Sequence, residues 1–237
     1  MKKNYLILIL ILQLFVVQSN SEVRKVVTLS NNWKFINNDV KGAEQISLST
    51  KKWETVKIPH DWAIKGPFDK EIDKQVVQVI QDMDDRPKEQ TGRTGALPYI
   101  GVGWYRNNFT LPNISDNQQV IITFDGAMSN AEVYLNGEKI GERPYGYSYF
   151  YFDITPYIKN NEENLLAVRL ENYPSSSRWY PGAGLYRKVQ IEIKDKVGLE
   201  KWGTFITTPY VSEKQARVNI SSTINGENLK LVADIIS

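Results

Sequence analysis

Apolar and polar residues alternate along much of this chain. The alternation is cleanest at Val189, Ile191 and Ile193, set against Lys188, Gln190 and Glu192. A period of two puts the first set on one face of a strand and the second on the other, so one face packs on a core and the other meets water. The same rhythm recurs at Val120, Ile122 and Phe124, at Ala131, Val133 and Leu135, and at Leu166, Val168 and Leu170. Residues 124–152 organise the rest. Asn136-Gly137 directly follows a strand, and both residue types tolerate positive φ. The pair predicts a type I′ turn and a hairpin that returns through Lys139 and Ile140. Tyr149, Phe150, Tyr151 and Phe152 then run consecutively. In a strand they send rings to both faces, as in a sheet covered on both sides or one lining a groove. The pattern predicts an antiparallel β-sandwich.

Upstream, Val26, Val27 and Leu29 open the first strand, Asn31-Asn32 reads as a turn, and Trp33 and Phe35 alternate after it. Trp53, Val56 and Ile58 lead into Pro59, which removes a ladder donor and ends a strand. Residues 69–85 fit a helical face, but their β-branched centre, from Val76 to Ile80, favours a strand. Residues 91–103 and 172–184 are long loops, and a strand runs from Trp104 to Leu111. Thr155-Pro156 predicts a short helix with Thr155 as its N-cap, ended by Asn160-Asn161. Residues 194–197 read as a linker, followed by strand-like runs at 202–206, 216–224 and 229–236.

The first 21 residues change the picture of location rather than of fold. Lys2-Lys3 precedes an apolar run over 6–17, too short for the ~20 residues that span a bilayer. Small residues at 17, 19 and 21 fit a cleavage site. The expectation is a signal peptide over 1–21 and an exported protein, periplasmic or extracellular, with no membrane contact once the leader is removed. An uncleaved anchor is the alternative.

Charge and residue types then narrow the chemistry. Without Lys2 and Lys3, 27 basic residues face 27 acidic ones, which argues against a nucleic-acid partner. There is no cysteine and one histidine, His60, so neither a thiolate metal site nor a catalytic triad is available. His60, beside Asp61 and Trp62, reads as a structural hydrogen-bonding group. The acidic group Asp82, Asp84 and Asp85 lacks the glycine and terminal glutamate of a calcium loop and reads as a solvated turn. Gly101-Val102-Gly103 opens a strand and is not a nucleotide loop. No cofactor and no metal is expected.

Five motifs come in a fixed order: PHDW at 59–62, TGRTGALPYIGVGWYR at 91–106, FDGAMSNAEVYLNGEKIG at 124–141, GYSYFYFDIT at 146–155 and RWYPGAGLYRKV at 178–189. Together they resemble the N-terminal sugar-binding domain of glycoside hydrolase family 2, most like that of exported bacterial β-galactosidases. The resemblance covers residues 26–193. The tail, WGTFITTP and ARVNISSTING, is similar to the start of the immunoglobulin-like domain that follows in this family.

The resemblance implies an all-β chain: a jelly-roll β-sandwich over 22–193, then the truncated start of an immunoglobulin-like β-sandwich over 194–237. It implies retaining hydrolysis of a β-glycoside by two carboxylates about 5 Å apart. In the family both are glutamates of a (β/α)₈ barrel, which this chain lacks. No catalytic residue is therefore assigned, and Asp61, Asp125, Glu132 and Asp153 read as turn or exposed-strand groups. The chain alone is expected to be inactive. In the family, loops of this domain help close the barrel's sugar pocket. Here the two candidate loops carry Tyr99, Arg178, Trp179 and Tyr180, which supply ring faces for a pyranose and donors for its hydroxyls. An acidic sugar contact carried by related β-galactosidases near the second loop is replaced here by Ser177-Arg178-Trp179. Trp104, on a strand, reads as a core or interface ring. The expected partner is a β-galactoside-type carbohydrate, met beside the barrel. The alternatives are a free-standing carbohydrate-binding module, a family member acting on β-glucuronides or β-mannosides, and a sandwich that only packs on another chain.

Overall fold

The structure is a computed structural model. It describes residues 24–65, 71, 101–173 and 182–227, and the backbone alone of 74–77 and 88–91. The expected leader, the Asp82, Asp84 and Asp85 group and the run at 229–236 lie outside the described residues.

Two antiparallel sheets form a sandwich. The smaller has the spatial order β1 (Lys25–Thr28), β12 (Val189–Asp195), β7 (Gln118–Phe124), β10 (Phe150–Asp153). The larger runs β3 (Glu54–Val56), β2 (Trp33–Ile36), β6 (Gly101–Thr110), β11 (Glu163–Asn172), β8 (Ala131–Leu135), β9 (Glu138–Arg143). Strands adjacent in a sheet are mostly distant in the chain, the crossing pattern of a jelly roll. β4 (Lys74–Val77) pairs with β5 (Lys88–Thr91), and β13 (Gly198–Val211) with β14 (Ala216–Asn225).

The inward positions of the alternating runs meet between the two sheets. Val120, Ile122, Phe124, Val189 and Ile191 come from the smaller sheet, and Val133, Leu135, Leu166, Val168 and Leu170 from the larger; all are fully buried. Each such side chain contributes roughly 1.5–3 kcal/mol by leaving water. The hairpin between β8 and β9 turns as expected: Asn136 has φ 54° and Gly137 φ 94°, the signs that a type I′ turn requires. The aromatic run also divides by face. Phe150 stacks on Phe124 at 4.9 Å, whereas Tyr149 and Tyr151 point outward and hold Trp202 at 4.0 and 4.9 Å.

Three local expectations change. Glu192 does not meet water; it is buried, and its carboxylate pairs with Lys201 at 2.5 Å and Arg24 at 2.6 Å. The outer face of β12 is covered here because β13 folds back over it. Lys194 and Asp195 belong to β12, which leaves only Lys196 and Val197 between the strands. Thr155 is not an N-cap but the first residue of a single 3-10 turn, Thr155–Tyr157. Asp153 supplies the cap-like acceptor instead, taking the Thr155 N–H (2.9 Å) and hydroxyl (2.5 Å). An ionised carboxylate two residues upstream is the stronger acceptor.

Residues 37–53 cover the outer face of the larger sheet, burying Trp53, Trp104 and Ala167 in a second cluster. Asp39 fastens this segment. It accepts from Arg169 Nη2 (2.9 Å) and Nε (3.2 Å) and from Trp104 Nε1 (3.2 Å). The Arg169 guanidinium holds the Asp39 carboxyl below its usual range. Both faces of β6 are therefore buried over most of its length.

Candidate functional site

Register brings the two candidate loops together. Gly101 at the start of β6 is the Cα partner of Asn172 at the end of β11. Gly101 and Asn172 therefore stand side by side at one end of two neighbouring central strands. Tyr99, Arg178, Trp179 and Tyr180 themselves lie outside the described residues. What the structure describes is the frame on either side of them in the chain. Trp104 belongs to the body of the fold: it is 3% exposed, tied to Asp39 and tilted against Tyr134.

Residues 182–185 form the centre of that frame. They run between the 60–62 segment on one side and 128–130 on the other. The Trp62 N–H donates to Ala183 O (2.9 Å) and the His60 N–H to Leu185 O (2.8 Å). Met128 and Gly184 exchange both backbone bonds, at 3.0 and 2.9 Å. Side chains complete the lattice. Asp61 Oδ1 accepts from the N–H groups of Ala63 (3.0 Å) and Ala183 (3.2 Å). Asn172 Nδ2 donates to Gly182 O (3.1 Å), and the single Ser129 O–H has two acceptors in reach, Glu171 O (2.9 Å) and Asn172 Oδ1 (3.0 Å). Gly184, at φ 127°, passes where a Cβ would come within 2.4 Å of both His60 O and the Tyr105 hydroxyl.

PHDW is thus a frame motif, as a structural His60 implied. The His60 ring packs edge-on to Phe35 at 4.8 Å, and its Nδ1 shares a hydrogen bond with the Tyr105 hydroxyl at 2.7 Å. Its Nε2 is buried with no partner among the described residues. Protonation would place a second N–H where no acceptor waits. Burial, helped by the nearby Lys65 charge, accordingly pulls the His60 pKa below its ordinary value. The unfolded chain then binds the proton more readily than the folded one. Stability contributed by neutral His60 is complete above the unfolded pKa of about 6.5 and is lost as pH falls towards the lower folded pKa. We expect the melting temperature to drop from pH 7 to pH 5, with a shallower slope in His60→Asn. Identical slopes in the two proteins would remove His60 as the cause.

Three carboxylates of this domain serve structure. Asp61 holds the loop base, Glu132 accepts from the Tyr134 hydroxyl (2.5 Å), and Asp153 closes the turn before Tyr157. This frame positions loops; its described groups offer no free acid–base pair. The part played by residues 128–130 was not anticipated from sequence. Its one signal is Asn130, whose residue type tolerates the φ of 45° found there.

Comparison with known proteins adds to this geometry. The family model described as "Glycosyl hydrolases family 2, sugar binding domain" matches residues 26–194. The chain is 39% identical over 198 residues to β-galactosidase BoGH2A of Bacteroides ovatus, covering 83% of this chain and 21% of that protein. It is 33% identical over 208 residues to a putative β-glucuronidase of Formosa agariphila, covering 87% of this chain and 18% of that one. Among solved structures, a β-glycosidase from Bacteroides vulgatus superposes with a TM-score of 0.71 at 31% identity, over 87% of this chain and 25% of that one. The chain therefore spans about a fifth of the length of the curated relatives it matches.

Proposed function

Because the chain belongs to glycoside hydrolase family 2, we propose that it is the non-catalytic amino-terminal part of an exported, retaining β-galactosidase-like enzyme. Its two candidate loops would form one wall of a sugar pocket whose floor and catalytic carboxylates belong to a barrel. Tyr99, Arg178, Trp179 and Tyr180 would meet the sugar: rings against its C–H face, guanidinium against its hydroxyls. The strands of 198–225 would begin the immunoglobulin-like domain between sandwich and barrel.

The observation that carries this reading is the Gly101–Asn172 register, which sets the described ends of the two candidate loops beside each other. A rigid scaffold that delivers two loops to one place is how loops come to act on a ligand. The family match and the names of the relatives supply the ligand class. The reading of a β-galactoside is supported by 39% identity to a protein named as a β-galactosidase, against 33% to one named as a putative β-glucuronidase. The test is a set of chromogenic substrates presented to the full-length protein. The β-galactoside should turn over with the highest kcat/KM; a faster β-glucuronide or β-mannoside would overturn the choice of sugar.

Export is part of the same proposal, on the Lys2-Lys3 start and the short apolar run that follows. Mass spectrometry of the secreted protein should find a new N-terminus between Val17 and Glu22. Recovery of the intact Met1 terminus in a membrane fraction would contradict it.

A further inference from the structure

A concave site lies on the surface beside the loop frame. A cleft of about 310 Å³ opens between the turn after β7, the start of β10 and the residues leading into β12. Pro59, Asp125, Tyr149, Tyr186, Arg187 and Lys188 line it.

Its two aromatic walls are held in place. The Tyr186 hydroxyl donates to Gly146 O (2.8 Å), and its ring lies so close over Gly126 that a Cβ there would come within 2.7 Å of it. Arg187 sits over the same ring, 5.4 Å from its centroid. Tyr149 is 53% exposed yet braced from behind by Trp202. The charged groups, by contrast, keep their hydrogen-bonding capacity open among the described residues. The Asp125 carboxylate, the Lys188 ammonium and the Arg187 guanidinium have no hydrogen-bond or ion-pair partner among the described residues. Asp125 and Lys188 are fixed at the backbone, where the Asp125 N–H donates to Lys188 O (3.0 Å).

We propose that this cleft binds a pyranose unit of a uronate-bearing glycan. This rests on the reading that carbohydrate is the ligand class of the domain. A pyranose has an apolar C–H face and a rim of hydroxyls. The exposed Tyr149 ring, braced by Trp202, gives the first a surface at little further entropy cost. A free carboxylate accepts from vicinal hydroxyls, and a guanidinium and an ammonium donate to the rest. Two cations against one carboxylate leave the cleft net positive, and Arg187 can take a sugar carboxylate in a bidentate grip. That charge is what selects a uronate over a neutral sugar.

The test uses the purified chain on a glycan array carrying glucuronate-, galacturonate- and neutral galactose-containing oligosaccharides, with calorimetry on the best ligand. Uronate-containing glycans should be retained. Tyr149→Ala and Arg187→Ala should each weaken binding by about tenfold at unchanged melting temperature. In the full-length enzyme the same variants should leave kcat/KM on a small chromogenic β-galactoside unaltered. No retention, retention of neutral glycans alone, or variants that bind like the parent would overturn the proposal. So would a loss of small-substrate turnover, which would assign the cleft to the catalytic pocket. Retention by the chain but not by the full-length enzyme would do the same, since the cleft would then be covered by the rest of the protein. Intact binding by a full-length protein that turns over no glycoside would instead sink the enzymatic reading and leave this one standing.

Discussion

Gly184→Ala should cost the sandwich about 3–5 kcal/mol, a large share of the 5–15 kcal/mol that holds a domain of this kind together. Two effects add at this position. The backbone stands at φ 127°, where an L side chain is strained. The new methyl would also meet His60 O and the Tyr105 hydroxyl at 2.4 Å, and neither can yield. The His60 carbonyl belongs to the chain segment that pairs with 183–185, and Tyr105 is fully buried on β6. Gly101→Ala separates the two effects. Gly101 has a similar φ of 119° but no atom within 4 Å of the added Cβ. Its cost should stay near 1 kcal/mol, the backbone part alone. Chemical denaturation of the two variants measures both. Equal losses would mean that close approach at Gly184 is not what fixes the loop frame.

The same residue shows where sequence reasoning reached and where it stopped. Strand positions were legible because period-two alternation reports which residues face a core, and Asn136-Gly137 reports its own turn. Glu192 broke that rule. Alternation assigns a residue to a face but says nothing of what covers the face, and Lys201, nine residues on, comes back to pair with it. The segment over 37–53 has no strong periodicity. Its attachment depends on Asp39 meeting Arg169, a pairing across 130 residues that local pattern cannot contain. The loop frame was half legible. PHDW and the glycines at 182 and 184 stood out as a motif. That they lie side by side with residues 128–130 follows only from the sheet order, which sets β11 between β6 and β8.

The second large effect concerns activity. Retaining hydrolysis needs a nucleophile and an acid–base carboxylate about 5 Å apart, and enzymes of this kind accelerate the reaction by at least about a millionfold. In this domain Asp61 and Asp153 are engaged by backbone N–H groups and Glu132 by a tyrosine hydroxyl. Such groups act as structural acceptors. A single wall of loops also gives a sugar too little enclosure to bind tightly by that site. In the full-length protein the loop should matter: Arg178→Ala and Trp179→Ala should each lower kcat/KM on a β-galactoside by about ten- to a hundredfold. The fold should be retained, which circular dichroism and melting of each variant beside the parent check.

The most direct measurement is the rate of hydrolysis of a chromogenic β-galactoside by the purified chain beside the full-length protein at equal molar concentration. The chain should give a rate indistinguishable from buffer, and the longer protein full turnover. Turnover by the chain alone, surviving repurification and scaling with its concentration, would contradict it, since catalysis would then lie in the sandwich.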